Sequence, residues 1–139
     1  MSHASQQIRD WFVTKLTNVS GLPSAVEGYP RQVAAGTTAT IVSCANELVQ
    51  RVTMDDPPTD ERQLAVLVIV IAASLDAADA LSLLAEEVLA VATGFPGKTF
   101  EMSQREYQEN VETDRDYVSI TITYTATYYV ARNNVESFK

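Results

Sequence analysis

Clustered carboxylates are the first candidates for chemistry in this sequence, because such groups bind hard cations and act as general acids and bases. Glu112, Asp114 and Asp116 have the alternate spacing found in acidic metal-binding loops. The glycine and the distal bidentate glutamate of a calcium loop are missing. We therefore predict that these acids are solvated and that the protein holds no metal ion.

A second acidic group surrounds a pair of prolines. Asp55, Asp56, Asp60 and Glu61 all fall within residues 55–61. Proline cannot donate a backbone hydrogen bond to a neighbouring strand, and carboxylates resist burial. The segment is therefore predicted to be an exposed loop between two strands, with no catalytic role.

The other reactive side chains do not form a catalytic set. Cys44 is the single cysteine, and its nearest possible base, the single histidine His3, belongs to a terminus that we expect to fray. One cysteine and one histidine cannot build a transition-metal site. Glu86 and Glu87 are neighbours on a predicted helix, so their side chains diverge. The sequence predicts no enzyme and no cofactor.

The charge balance argues against binding to nucleic acid or anionic membranes. The chain carries 10 basic and 18 acidic residues, for a net charge of −8, and has no basic run. Affinity for phosphates is supplied by clustered Lys and Arg. Without such clusters, Trp11, Tyr124, Tyr128 and Tyr129 are expected in core or interface packing, not in a platform for stacked bases.

No membrane segment is expected either. The longest apolar run, residues 64–73, is half of the roughly 20 residues that a helical span needs. It is rich in Val and Ile, which favours a buried strand. The first residues lack a signal-peptide pattern, and we expect a soluble intracellular product.

Two helices are predicted from apolar residues that recur at spacings of three and four. The first covers residues 5–17, with Ser5 as its N-cap. The second covers residues 76–92, capped by Asp76, and Gly94 after it suits a left-handed conformation. The apolar stripe of the second helix is predicted to be Leu81, Leu84, Val88 and Val91.

Alternating or continuous apolar residues predict the strands. In one strand the same face is expected to carry Val42, Cys44, Leu48, Val52 and Met54, with a bend near residues 45–46. A polar stretch is expected at 108–116, and residues 131–139 are expected to be a flexible tail or to dock on a partner. The predicted strands are 25–29, 40–54, 64–73, 98–106 and 118–130.

The order α, β, β, β, α, β, β predicts an α+β fold in a single domain, residues 1–139, with a mostly antiparallel sheet and two helices packed on one face. The alternation over residues 118–130 predicts a strand about 40 Å long. A strand of that length would expose an unpaired edge unless another chain covers it. We therefore also predict self-association.

Several segments resemble a known family when taken in this order. They are Ile8-Arg9 in the first helix, the turn Gly28-Tyr29-Pro30-Arg31, the strand Ile41-Val42-Ser43, the apolar run 64–73 and the segment Ile120-Thr121-Ile122-Thr123-Tyr124. On these, nearly the whole chain resembles the tail terminator (tail completion) proteins of long-tailed bacteriophages, the lambda-like minor tail protein family. Residues 98–116 match least well.

The resemblance implies a structural virion protein without catalytic residues. It would assemble in the host cytoplasm into a homohexameric ring at the head-proximal end of the tail, stop polymerisation of the tail tube, and form the joining surface for the head and neck. The implied partners are the tail tube protein and a head–neck connector protein. DNA would only pass through the lumen, where excess carboxylates would repel its phosphates.

Contacts with neighbours are expected at the acidic loop and at selected tyrosines and a basic residue. Three alternatives remain open: a head–tail connector ring that binds the portal side, a monomeric small-molecule-binding α+β module with a pocket, and an enzyme, which would need a catalytic set that these residues do not form. Oligomeric state separates the ring proteins from the module, and the binding partner separates the two rings. The expected interface residues are Arg31, Asp55, Asp56, Asp60, Glu61, Tyr128 and Tyr129.

Overall fold

The fold is α+β, as the sequence predicts. A computed structural model describes residues 3–23, 25–27, 38–53, 58–112, 115–132 and 138. Five strands form one sheet in the order β1-β2-β3-β5-β4, in which only β1 and β2 run parallel. Both helices pack on the same face, here called the inner face. The elements are α1 (Ala4–Lys15), β1 (Ala25–Glu27), β2 (Ala39–Arg51), β3 (Thr59–Ala72), α2 (Leu75–Ala90), β4 (Thr99–Glu112) and β5 (Arg115–Ala131).

Alternation along β5 determines which side chains reach the core. From Val118 to Val130, every even-numbered side chain is buried on the inner face. The odd-numbered threonines between them are half-buried on the opposite, outer face. The predicted strand 118–130 is confirmed, and at 17 residues β5 is longer than expected.

β3 is buried on both faces near its end, as its continuous apolar sequence predicts. Leu64, Val66 and Val68 lie in the main core with the helices. On the outer face, Ile69 and Ile71 are also buried and pack with Ile41 of β2. The outer face is therefore apolar on β2 and β3 and hydroxyl-rich on β5.

A β-bulge inverts the second half of β2. Cys44 pairs with Val66, but Glu47 pairs with Leu64, so β2 has one extra residue between these pairs. The predicted bend at residues 45–46 is confirmed. The extra residue reverses the alternation, so the predicted inward position of Leu48 is wrong: its side chain lies on the outer face and is 65% exposed.

Exposure also corrects the C-terminal part of that strand. Val52, expected on the inner face, lies beyond the end of β2 and is exposed. Cys44 is half-buried beside the main core. Met54 lies outside the described residues.

Both predicted helix N-caps are wrong by two residues. α1 begins one residue early, and the side chain of His3 accepts the backbone N–H of Ser5 at 3.1 Å. Ser74, not Asp76, caps α2, its hydroxyl accepting the backbone N–H of Ala77. Asp76 lies instead in the first turn, where its charge favours the helix dipole.

The buried face of α2 is made of smaller side chains than predicted. Of the expected stripe, Leu81, Leu84 and Val88 are half-buried at its margin, and Val91 is 79% exposed. Small side chains let the helix approach a sheet surface already filled by Val and Ile. The residues buried against the sheet are Ala78, Ser82, Ala85 and Leu89.

The region from 98 to 116 is a long hairpin, not a short strand followed by a polar connection. β4 continues to Glu112, and β5 starts at Arg115. From Glu101 to Gln108, every side chain except that of Arg105 is exposed, so burial imposes no apolar alternation there. Gly94, before this hairpin, has a φ of +78°, as predicted for a left-handed residue.

Five aromatic rings fix α1 onto the hairpin. Phe12 is fully buried, with its ring centroid 5.5 Å from those of Phe100 and Tyr124. Trp11 contacts Phe95 at 5.2 Å in an edge-to-face arrangement. Such pairs add to the hydrophobic free energy of burial. The predicted role of these aromatic residues in packing is therefore confirmed for Trp11 and Tyr124.

Replacing Phe12 by alanine is expected to lower the free energy of unfolding by ~3–5 kcal/mol, because it leaves a cavity under α1. Urea denaturation followed by the fluorescence of Trp11 measures the change. Leu83→Ala is the control, since Leu83 is 48% exposed on α2. Equal effects of the two substitutions would contradict the position of Phe12 in the core.

Candidate assembly surface

Four of the seven predicted interface residues lie together at one end of the sheet. Asp60 and Glu61 in β3 pair with residues of β5, and Glu61 lies opposite Tyr129. Tyr128 lies opposite Arg62. This region, named the Asp60 end, comprises residues 47–51, 59–63 and 127–132. The other three, Arg31, Asp55 and Asp56, lie outside the described residues.

Asp60 is not in an exposed loop, which corrects the prediction for this residue. It lies in β3 and is 1% exposed. Arg132 neutralises it, with Nη2 at 2.7 Å and Nε at 3.1 Å from the two carboxylate oxygens. These hydrogen bonds hold the pKa of Asp60 below its usual range, outweighing the effect of burial. A buried carboxylate is stable here because its partner reaches it from the end of β5.

Tyr128 is buried in a polar network on the inner face, not at an exposed interface. Its hydroxyl donates to Glu47, whose other oxygen lies 3.5 Å from Arg62. Burial, and then the bond to Glu47, raise the pKa of Tyr128. The ring of Phe138 packs edge-on against Tyr128 with centroids 5.6 Å apart. The predicted packing role of Tyr128 in the core is confirmed.

The outer side of the same end carries a chain of three polar groups. Lys98 lies over the ring of Tyr129, 5.0 Å from its centroid, and donates to its hydroxyl at 3.2 Å. Tyr129 in turn donates to Glu61 at 3.1 Å. Glu61 is thus a half-buried strand residue, where the sequence predicts an exposed loop. Both charged groups therefore have a hydrogen-bond partner within the subunit.

The partners of these residues, Glu47, Arg62 and Arg132, were not predicted from the sequence. For Arg132 a pattern was present: it continues the even-numbered series of β5 that faces inward. β5 ends at Ala131, and the backbone N–H of Arg132 donates to the carbonyl of Pro58 at 2.9 Å, which holds Arg132 beside the start of β3. Glu47 could not be found this way, because the bulge reverses the alternation before it.

A second charged cluster ties α2 to β4. Arg105 donates to Asp79 at 3.1 Å and to Ser82 at 2.7 Å, and lies 3.6 Å from Glu86. Burial, followed by the charge of Glu86, raises the pKa of nearby Tyr124 to about 12. Arg105 is therefore committed to the helix and is not available to a ligand.

In the described part of the chain, no three His, Cys, Asp or Glu residues are close enough to hold a metal ion. Across the same residues, no helix is long and apolar enough to cross a membrane. Two open clefts were found, with volumes of about 400 and 290 Å³. The first is lined by Pro96, Gly97, Lys98, Tyr129 and Phe138, and the second by Glu86, Ala90, Phe100, Met102 and Tyr124.

Unpaired strand edges are the most prominent surface feature. β4 pairs with β5 on one side, and no described strand pairs with its other side. β1 covers β2 only from Thr40 to Val42, which leaves residues 43–51 as a second edge within the described ranges. Unpaired edges expose rows of backbone donors and acceptors that another chain can satisfy. The arrangement can therefore bind a strand on either side of the sheet.

Comparisons with known proteins give one likeness of low similarity. No family model matches the chain, and no curated protein matches it. Among solved structures, it is similar to a chain from the virion of a native gene transfer agent (GTA) particle. The two share 18% sequence identity over 90% of each chain, with a TM-score of 0.44. A likeness of this degree assigns no function.

Replacing Asp60 by asparagine is expected to destabilise the protein at pH 7 but progressively less as pH falls below about 4. The folded pKa lies below the unfolded value, so the stabilisation is present above the unfolded pKa and is lost as pH falls through the folded pKa. Urea midpoints measured from pH 7 to about pH 3 test this. Asp10→Asn, at an exposed position of α1, is the control. A difference from wild type that stays constant with pH would contradict the charge effect.

Proposed function

We propose that the protein is a non-enzymatic structural component of a phage-type virion that assembles into a ring. The observation that carries this proposal is the pair of open edges, β4 and the distal part of β2, on opposite sides of one sheet. Two different edges on one subunit favour head-to-tail contacts, and such contacts close into a ring when the rotation between subunits permits.

Within that class we propose a tail terminator. The order of elements is that expected from the sequence resemblance to these proteins, including the long final strand and the apolar β3. The ring would be a homohexamer that caps the head-proximal end of the tail tube, stops its polymerisation and joins the neck. The similarity to a gene transfer agent chain, with a TM-score of 0.44, is too low to support this proposal.

DNA passage is the proposed use of the outer face. Among the described residues of β4 and β5, Glu101 and Glu106 lie there beside a row of threonines, with no Lys or Arg between them. A neutral-to-acidic surface does not hold phosphates, so it would line a channel through which DNA slides. A ring map with a basic channel surface would contradict this assignment.

The ring predicts a mass of six times the 15.2 kDa chain in solution. Size exclusion with light scattering, over a range of concentrations and with purified tail tube protein added, measures it. We expect a hexamer, or a monomer that hexamerises with concentration or on tube ends. Binding to the portal-side connector but not to the tube would favour the connector ring instead. A protein that stays monomeric under all of these conditions would contradict the proposed function.

A further inference from the structure

The two open edges have opposite strand directions, which limits how copies can join. β2 is antiparallel to β3, β3 to β5, and β5 to β4, so β2 and β4 run antiparallel to each other. Rotation about an axis parallel to the strands keeps strand direction and keeps every inner face on the same side. The β2 edge of one copy would then meet the β4 edge of the next copy in antiparallel orientation, the pairing that is more stable per residue.

Apolar side chains are exposed on the inner face at both edges. Val49 of β2 is 52% exposed, and on β4 Met102 and Tyr107 are 50% and 52% exposed. The cleft of about 290 Å³, floored by Phe100 and Tyr124, opens beside Met102. Pairing of the two edges brings these side chains onto one continuous surface, where their mutual burial stabilises the contact.

The charges favour pairing between unlike edges. On β4, Arg105 is committed to Asp79 and Glu86, so the exposed charges are the carboxylates of Glu101 and Glu106. Two β4 edges would therefore bring acids together, which destabilises cross-strand pairs.

The β2 edge adds no opposing carboxylates. Glu47 is already bonded to Arg62 and Tyr128, and the exposed residues 48–51 include no acid. Pairing β2 with β4 therefore avoids the repulsion that two β4 edges would have.

Both edges also carry a bulge that limits where a partner can pair. The β2 bulge ends at Glu47, and a register shift in β4 ends at Gln104. Residues 47–51 and 104–108 lie beyond these irregularities and have the same length. Bulges in edge strands restrict indiscriminate pairing, so these segments are the regular parts that remain open.

We propose that residues 47–50 of β2 in one copy pair antiparallel with residues 104–107 of β4 in the next copy, with Gln50 opposite Gln104, continuing the sheet from subunit to subunit. Inner side chains then meet inner side chains, and Val49 packs beside the exposed apolar side chains of β4. The pairing rests on the proposed ring and gives its subunit interface. The occupant of each edge is a second copy of this chain.

Cysteine cross-linking tests the pairing in the full chain. Gln50 and Gln104 are both exposed on the outer face, one on each edge. Each is changed to cysteine, singly and together, with Cys44→Ala removing the native thiol. A short flexible bismaleimide is added to the assembled protein. We expect a ladder up to the hexamer from the double variant, dimers from an equal mixture of the two single variants, and no cross-linked dimer from either single variant alone.

A blocking substitution supplies a second measurement. Val49→Lys places a charge in the apolar contact and is expected to lower the hexamer fraction at least tenfold at the concentration where wild type is half assembled. Leu83→Lys is the matched control, since Leu83 has a similar exposure of 48% on α2. Circular dichroism confirms that both variants fold.

The outcomes separate the pairing from the ring. Hexamers that give no ladder, or dimers from Gln104→Cys alone, overturn the β2–β4 pairing and leave the ring in place. Equal loss of assembly from Val49→Lys and Leu83→Lys also overturns it. A wild-type protein that never assembles would contradict the proposed ring, and therefore also this interface.

Discussion

Pairing of β5 with a strand on each side is the constraint on which the rest of the structure depends. β5 bonds to β3 along 14 residue pairs and to β4 along 13, so its two faces are fixed together. Its inner row supplies the core under both helices, while its outer row is polar. Any shift of one residue would exchange the two rows. The positions of α1, α2 and the long hairpin all depend on the even-numbered side chains of β5 forming the inner row.

The same constraint explains which parts of the fold were predictable from sequence. The alternation of β5 and the apolar run in β3 arise from burial of the side chains, so strand and face could both be assigned. The extent of β4 could not, because most of its side chains from Glu101 to Gln108 are exposed, so burial imposes no apolar pattern. The helix caps were missed because Ser5 and Asp76 are as suitable as His3 and Ser74 until the geometry of the chain before the helix is known.

The polar residues at the Asp60 end show a different limit. Asp60 and Tyr128 are predicted contact residues, Asp60 because it belongs to an acidic segment expected to be an exposed loop. In the structure both are buried, and their partners come from distant parts of the sequence, as Arg132 does for Asp60. Sequence periodicity indicates the face on which a residue lies but not its partner. The open edges were anticipated only in general terms, from the length of the last strand.

The bulge in β2 shifts the alternation of inward and outward side chains by one position for the rest of the strand. Upstream of it, Val42 belongs to the core; downstream, Leu48 lies on the outer face instead of the face of Val42. Glu47 lies on the inner face for the same reason and bonds to Tyr128. One additional residue therefore divides a single strand into a segment whose even-numbered side chains face inward and a segment whose odd-numbered side chains do. The number of residues between the paired positions, more than the residue types, determines which face of the sheet each side chain takes.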